Sequence, residues 1–191
     1  MEHSQVRKAN WSRTYIAPSY LYGRTELAAP LQVFAEILGG TPTSRLYQEL
    51  VVRQKVAIDV ASWYQARRRG PGEFSISITP KDNDTERLEL ALEKAVADIL
   101  ETGFTLEEIE RTKNAMASAA IYARDSNEFL ANLFGRSLVI GMTIDDIENW
   151  SDQIRAVTVE QVLEAANTVL VPEKSVTGIL LPASRPAGAD E

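Results

Sequence analysis

"GGTPTSRLYQELVVRQKVAIDV", residues 39–60, is where the periodicity of the chain changes. Before it, Leu27, Leu31, Phe34, Ala35 and Leu38 recur at helical spacing. Thr25 is the expected cap of that helix, with Pro30 in its first turns. Gly39 and Gly40 stop it, glycine being the residue that takes a left-handed C-terminal position without a Cβ penalty. Thr41-Pro42 restarts a helix over residues 43–54, with Leu46, Leu50 and Val51 as its apolar stripe. The period then falls to two: Ile58, Val60, Ser62 and Tyr64 alternate with Asp59, Ala61 and Trp63, which predicts a strand.

The rest of the chain follows from that switch. "RRRGPG" turns the strand back into a second one carrying Phe74, Ile76 and Ile78, an antiparallel hairpin. "WSRTYIAPSY" upstream suits a first strand ended by Pro18. Downstream, helices are expected from Asp84 or Thr85 to Gly103, from the capping box "TLEE" to about Arg124, and to Gly141. The last of these carries Phe129, Leu130, Leu133, Phe134 and Leu138. Two more helices span residues 144–155 and 159–170, and "SVTGILLP" closes the chain as a strand. The order predicts an α/β, two-layer α+β domain: a mixed, largely antiparallel sheet covered by helices on one face. It is not the regular βαβ alternation of a doubly wound nucleotide fold. The expected boundaries are a flexible segment over 1–12, a domain over 13–182 and a polar tail over 183–191.

Composition narrows the chemistry. The chain has 191 residues and a net charge of −7, which disfavours nucleic acid and anionic membrane as main partners. Arg67-Arg68-Arg69 is too short to reverse that and reads as a solvated turn. There are no cysteines and one histidine, His3. Thiol catalysis, a Cys-ligated zinc and a Ser-His-Asp device are therefore excluded. No apolar run reaches the ~18 residues a membrane span needs. "MEHSQVRKAN" is not a signal peptide, so the sequence is either cytosolic or a piece of something longer. The paired glycines follow a helix and fit neither glycine-rich nucleotide motif, so they do not cradle phosphate.

Six stretches, in order, carry a resemblance: "APSY", "LGGTPTSRLYQEL", "TLEEIERTKNAM", "LVIGMTIDDIENW", "IRAVTVEQVLEAANTVL" and "ILLP". From about Arg13 to Pro182 the chain resembles the C-terminal half-domain of the pitrilysin/insulinase-type zinc metallopeptidases, relatives of insulin-degrading enzyme and mitochondrial processing peptidase. The resemblance implies a zinc-free unit that closes like a clamshell on a zinc-bearing unit, in the same chain or in a partner subunit, around a peptide substrate. The zinc-bearing unit carries H-x-x-E-H, which this sequence lacks, so zinc is expected in the partner and no cofactor in this chain. Active relatives place an Arg and a Tyr that grip the substrate where this sequence has Val51 and Ile58. Neither offers a donor to a carbonyl oxygen. Arg53 and Tyr64 are the remaining candidates for substrate binding; no catalytic or metal-binding residue is assigned. The expected function is that of a non-catalytic domain of a zinc metallopeptidase-like protein. The alternative is a structural or assembly subunit that has lost peptidase activity. A periplasmic location is implied by exported bacterial members, with a cytoplasmic one left open.

Overall fold

The computed structural model describes residues 1–3 and 6–183. Its sheet has five strands: β1 (Glu2–His3), β2 (Asn10–Ala17), β3 (Ala57–Gln65), β4 (Gly72–Pro80) and β5 (Ser175–Pro182). They lie in the order β1-β5-β2-β4-β3, antiparallel throughout except for the short parallel pairing of β1 with β5. The mixed, largely antiparallel sheet under one layer of helices agrees with the sequence reading. Trp11, Tyr15, Phe74, Ile76, Ile78 and Val60 point from alternate positions into the helical layer and are buried. The opposite face carries a polar ladder, with Thr14 Oγ1 at 2.9 Å from Ser75 Oγ and Asn10 Nδ2 donating to Ser77 Oγ at 3.1 Å.

The helices are α1 (Ala28–Ala35), α2 (Thr85–Thr102), α3 (Leu106–Ala123), α4 (Asn127–Ile140), α5 (Ile144–Glu148), α6 (Trp150–Arg155) and α7 (Val159–Val169). Two π-helical segments, Glu36–Gly40 and Tyr47–Arg53, connect α1 to β3. Asp84, Thr105, Ser126, Thr143 and Thr158 each accept a backbone N–H at a helix start. Phe34 of α1 stacks on Phe74 of β4 at 5.2 Å and meets Phe104 edge-on at 5.8 Å, which joins the sheet to both helical groups.

Several local expectations are corrected. Strand β2 begins at Asn10 with Ala9 and Trp11 buried, so a boundary at residue 13 falls inside it. The tail is described only to residue 183; residues 184–191 lie outside. Thr25 sits in a short 3-10 turn, Thr25–Leu27, and caps nothing with its side chain. Gly39 is not left-handed: its φ is −157°. Its glycine is required by close approach, because a Cβ would lie 2.7 Å from Ser62 N on β3. The left-handed position instead falls on Lys55 (φ 55°), where Val56 N–H turns back to the Leu50 carbonyl at 2.9 Å. The "TLEE" box closes on one side only: Thr105 caps the Glu108 N–H, while the Glu108 carboxylate is taken by Arg45. The expected 144–155 helix divides at Asn149, which lets the Trp150 indole reach α1.

The largest departure is α4. Its apolar residues Phe129, Leu130, Leu133, Phe134 and Leu138 are not buried in the core: Ser137 is the helix's only buried residue. Phe129 is 44% exposed and Val139 84%. Periodicity identifies an apolar face but cannot say whether this chain supplies the surface that covers it.

Candidate functional site

The two ends of β3 differ in chemistry. At its start, Arg45 forks onto Glu108 with contacts of 2.8 and 2.6 Å and lies over the Phe104 ring at 5.1 Å. That arginine is fully engaged in pinning the π-helical segment to the α2–α3 junction. Val51 packs against the core. Ile58 is the extra residue of a β-bulge between Ala57 and Asp59, which turns both Ile58 and Asp59 outward. Arg53 has an exposed side chain paired, among the described residues, with Glu49 one helical turn back at 2.8 Å.

Tyr64 lies at the other end. At ~3.3 Å per residue, β3 separates its two ends by roughly 25 Å. The structure therefore does not bring Arg53 and Tyr64 together. Tyr64 OH donates to the Pro18 carbonyl, and burial pushes its phenol well above the ordinary tyrosine value. Its ring and Trp63 instead line a cavity of about 440 Å³ between β3, α1, α3, α4 and α6.

Polar groups converge on this cavity from four elements. Gln32 Oε1 of α1 accepts from Tyr20 OH and from Trp150 Nε1 of α6, each at 2.8 Å. Burial raises the Tyr20 phenol to about 12. Glu36 is held above its ordinary value by desolvation. Arg67 is pulled below its ordinary value by desolvation, partly offset by Tyr20, and its Nε is buried with no hydrogen-bond partner among the described residues. The solvated-turn reading is thus wrong for Arg67, although Arg68 does pair with Glu73 at the surface. The reason is the neighbouring turn. Tyr20 N–H donates to the Ala66 carbonyl at 3.0 Å, and Ser19 Oγ lies 3.1 and 2.9 Å from the carbonyls of Arg68 and Gly70. These bonds draw the start of the arginine run inward. Sequence reasoning missed Tyr20, Gln32, Glu36, Arg67 and Trp150 as a group: Gln32 and Glu36 share one helical face, but Tyr20, Arg67 and Trp150 come from distant parts of the chain.

Among the described residues, no group of three or more His, Cys, Asp or Glu can hold a metal ion. The residues present do not fit the zinc of the resembled peptidases. Among the described residues, no helix is long and apolar enough to cross a membrane.

A mixed, largely antiparallel sheet covered by helices on one face makes this a two-layer α/β domain. A family model described as the peptidase M16 inactive domain matches residues 3–116, and the chain belongs to that family. The uncharacterized zinc protease YmxG of Bacillus subtilis is 27% identical over 135 residues, covering 69% of this chain and 32% of YmxG. The chain therefore spans about a third of that relative's length. The inactive peptidase domain of a Bordetella parapertussis protein has the same fold, with a TM-score of 0.85 at 20% identity, covering 99% of this chain and 98% of that one. A protease from Helicobacter pylori matches with a TM-score of 0.84 at 17% identity, covering 95% of this chain and 43% of its own.

Proposed function

We propose that this domain forms one wall of a peptide-enclosing chamber and docks on a zinc-bearing unit, either the other half of its own protein or a partner subunit. The observation that carries the reading is the uncovered apolar surface of the α3–α4 hairpin. Ile121, Tyr122, Phe129, Leu138 and Val139 are exposed in a chain that spans only part of its relatives. Apolar surface of this kind marks a contact site when neighbouring residues share it. On this reading the zinc and the water-activating base reside in the partner. This chain contributes shape and substrate contact rather than bond breaking, with Arg53 and Tyr64 as contacts in separate parts of the wall. An exported, periplasmic setting belongs to the same reading, and fractionation of the parent cells tests it.

The docking test mixes the chain with the H-x-x-E-H-bearing unit of the same source and follows complex formation and peptide cleavage. Complex formation is expected to restore cleavage. L138D and V139D are expected to abolish both without lowering the melting temperature of the isolated chain. Stoichiometric tight zinc and turnover in the isolated chain would sink the reading.

A further inference from the structure

The polar groups beneath Tyr64 form a more specific arrangement than a chamber wall requires. The 440 Å³ cavity adjoins a second of about 660 Å³, and the two share Gln32, Tyr64, Arg67, Phe129 and Leu133. Both volumes fall within the range of small-ligand sites. The wall of the first is largely aromatic and aliphatic, while polar side chains such as Gln65, Asn132 and Ser137 line much of the second. Arg67, Arg124 and Arg136 line them against Glu36 and Glu128, a local cationic excess on a chain of net charge −7.

Arg67 is the focus. Among the described residues it makes no ion pair, and its Nε has lost water without gaining a protein acceptor. A buried donor left unmatched is costly, and one in a native fold calls for an explanation. Its backbone is fixed by the bonds from Tyr20 and Ser19, so the side chain is held where it is desolvated. The surrounding phenols and indole cannot supply an anion: Tyr20 and Tyr64 stay protonated, and Trp150 and Tyr20 already donate to Gln32. The missing partner is an acceptor of negative charge small enough to enter an apolar groove. A carboxylate fits the planar fork of a guanidinium best.

We propose that the groove between β3 and the α3–α4 hairpin binds a carboxylate carried on an apolar peptide segment, with Arg67 as its anchor and Phe129 and Leu133 against its apolar side chains. The choice of a peptide as carrier rests on the chamber reading above; the carboxylate does not. The carboxylate can be a peptide's C-terminus or an acidic side chain near it. Bound there, it orients a peptide along the wall without taking part in bond breaking.

The test uses the chain alone, so it succeeds or fails whether or not a zinc-bearing unit docks. Three N-blocked pentapeptides are titrated: one ending in leucine with a free carboxylate, its C-terminally amidated twin, and an amidated peptide ending in glutamate. The readouts are calorimetry and indole fluorescence, since Trp63 and Trp150 line the cavity while Trp11 is buried in the core. The free-carboxylate peptide is expected to bind at least tenfold more tightly than its amidated twin. Tight binding of the glutamate peptide as well assigns the side-chain source; its failure assigns the C-terminus. R67M is expected to erase the ratio, and R67K, which keeps charge but not the fork, to reduce it. Circular dichroism of both variants confirms that they fold. Equal binding of the free and amidated peptides, absence of saturable binding, or a ratio unchanged in both variants would overturn the proposal.

Discussion

The two ends of β3 invert what the sequence leads one to expect. Near the start of the strand, where the resemblance led one to look for a substrate-gripping arginine and tyrosine, the chain presents a core-packed Val51 and a bulged Ile58. The arginine beside them, Arg45, is consumed by Glu108 and Phe104. The far end opens from an arginine-rich turn and gathers Arg67 with its desolvated Nε, the half-buried Tyr64, the Trp150 indole and the desolvated Glu36 carboxyl around one cavity. Backbone architecture and polar chemistry are thus separable on one strand. A fold can be retained at one end while the groups capable of recognition collect at the other.

The variant with the largest expected effect removes what both ends share. Phe34 lies under Phe74 and against Phe104, fully buried. Phe34→Ala should cost about 3–5 kcal/mol, the range for a large aromatic truncated in a packed core. Chemical denaturation measures it; a loss below ~1 kcal/mol would mean that the layers are not joined through this stack.

The next contrast is between two arginines of one helical segment. Arg45→Met removes a bidentate, partly buried contact and leaves Glu108 without its partner, so a loss of about 1.5–3 kcal/mol is expected. Arg53→Met removes an exposed pair and should stay within about 0.5 kcal/mol. A double-mutant cycle with Glu108→Gln gives the Arg45 coupling directly. Similar losses at both arginines would contradict the division between an anchored and a solvated cation.

How much of this was legible in the sequence depends on the range of the interaction. The hairpin, the sheet class and most of the helices rest on period and local capping, which act within a few residues, and they emerge as read, whereas the Thr25 cap and the undivided 144–155 helix do not. Gly39 was read correctly as a stop but for the wrong reason, because its constraint is Ser62, across the chain on β3. Glu108 looked like a capping residue because nothing local announces Arg45. The cavity was invisible for the same reason: Gln32 meets Trp150 across 118 positions of sequence. The apolar residues of α4 were seen, but only Ser137 of that helix is buried, which period alone does not reveal.

Lys55 gives a smaller test at the start of β3. It holds a left-handed φ of 55°, which for a residue with a Cβ costs roughly 1–2 kcal/mol. Lys55→Gly relieves that strain but adds freedom to the unfolded chain, so a net gain of about 0.5–1 kcal/mol is expected. A destabilised variant would show that the Lys55 side chain contributes contacts that outweigh its backbone strain.

Glu36 provides the smallest effect and the one that reads the far end through pH. Burial raises its folded-state value above that of the unfolded chain, so folding favours the protonated carboxyl. The sign follows: this group does not oppose folding at pH below the ordinary carboxylate range. Its penalty grows as pH rises through the raised folded value and is complete above it. Glu36→Gln keeps the shape and removes the charge. The variant should melt higher than the parent at neutral pH, and the gap should close as pH falls below the ordinary carboxylate range. Melting temperatures of both proteins across that interval decide it. A gap independent of pH would mean that Glu36 is compensated in the folded state, placing a positive group close to its carboxylate and removing it from the desolvated wall of the cavity.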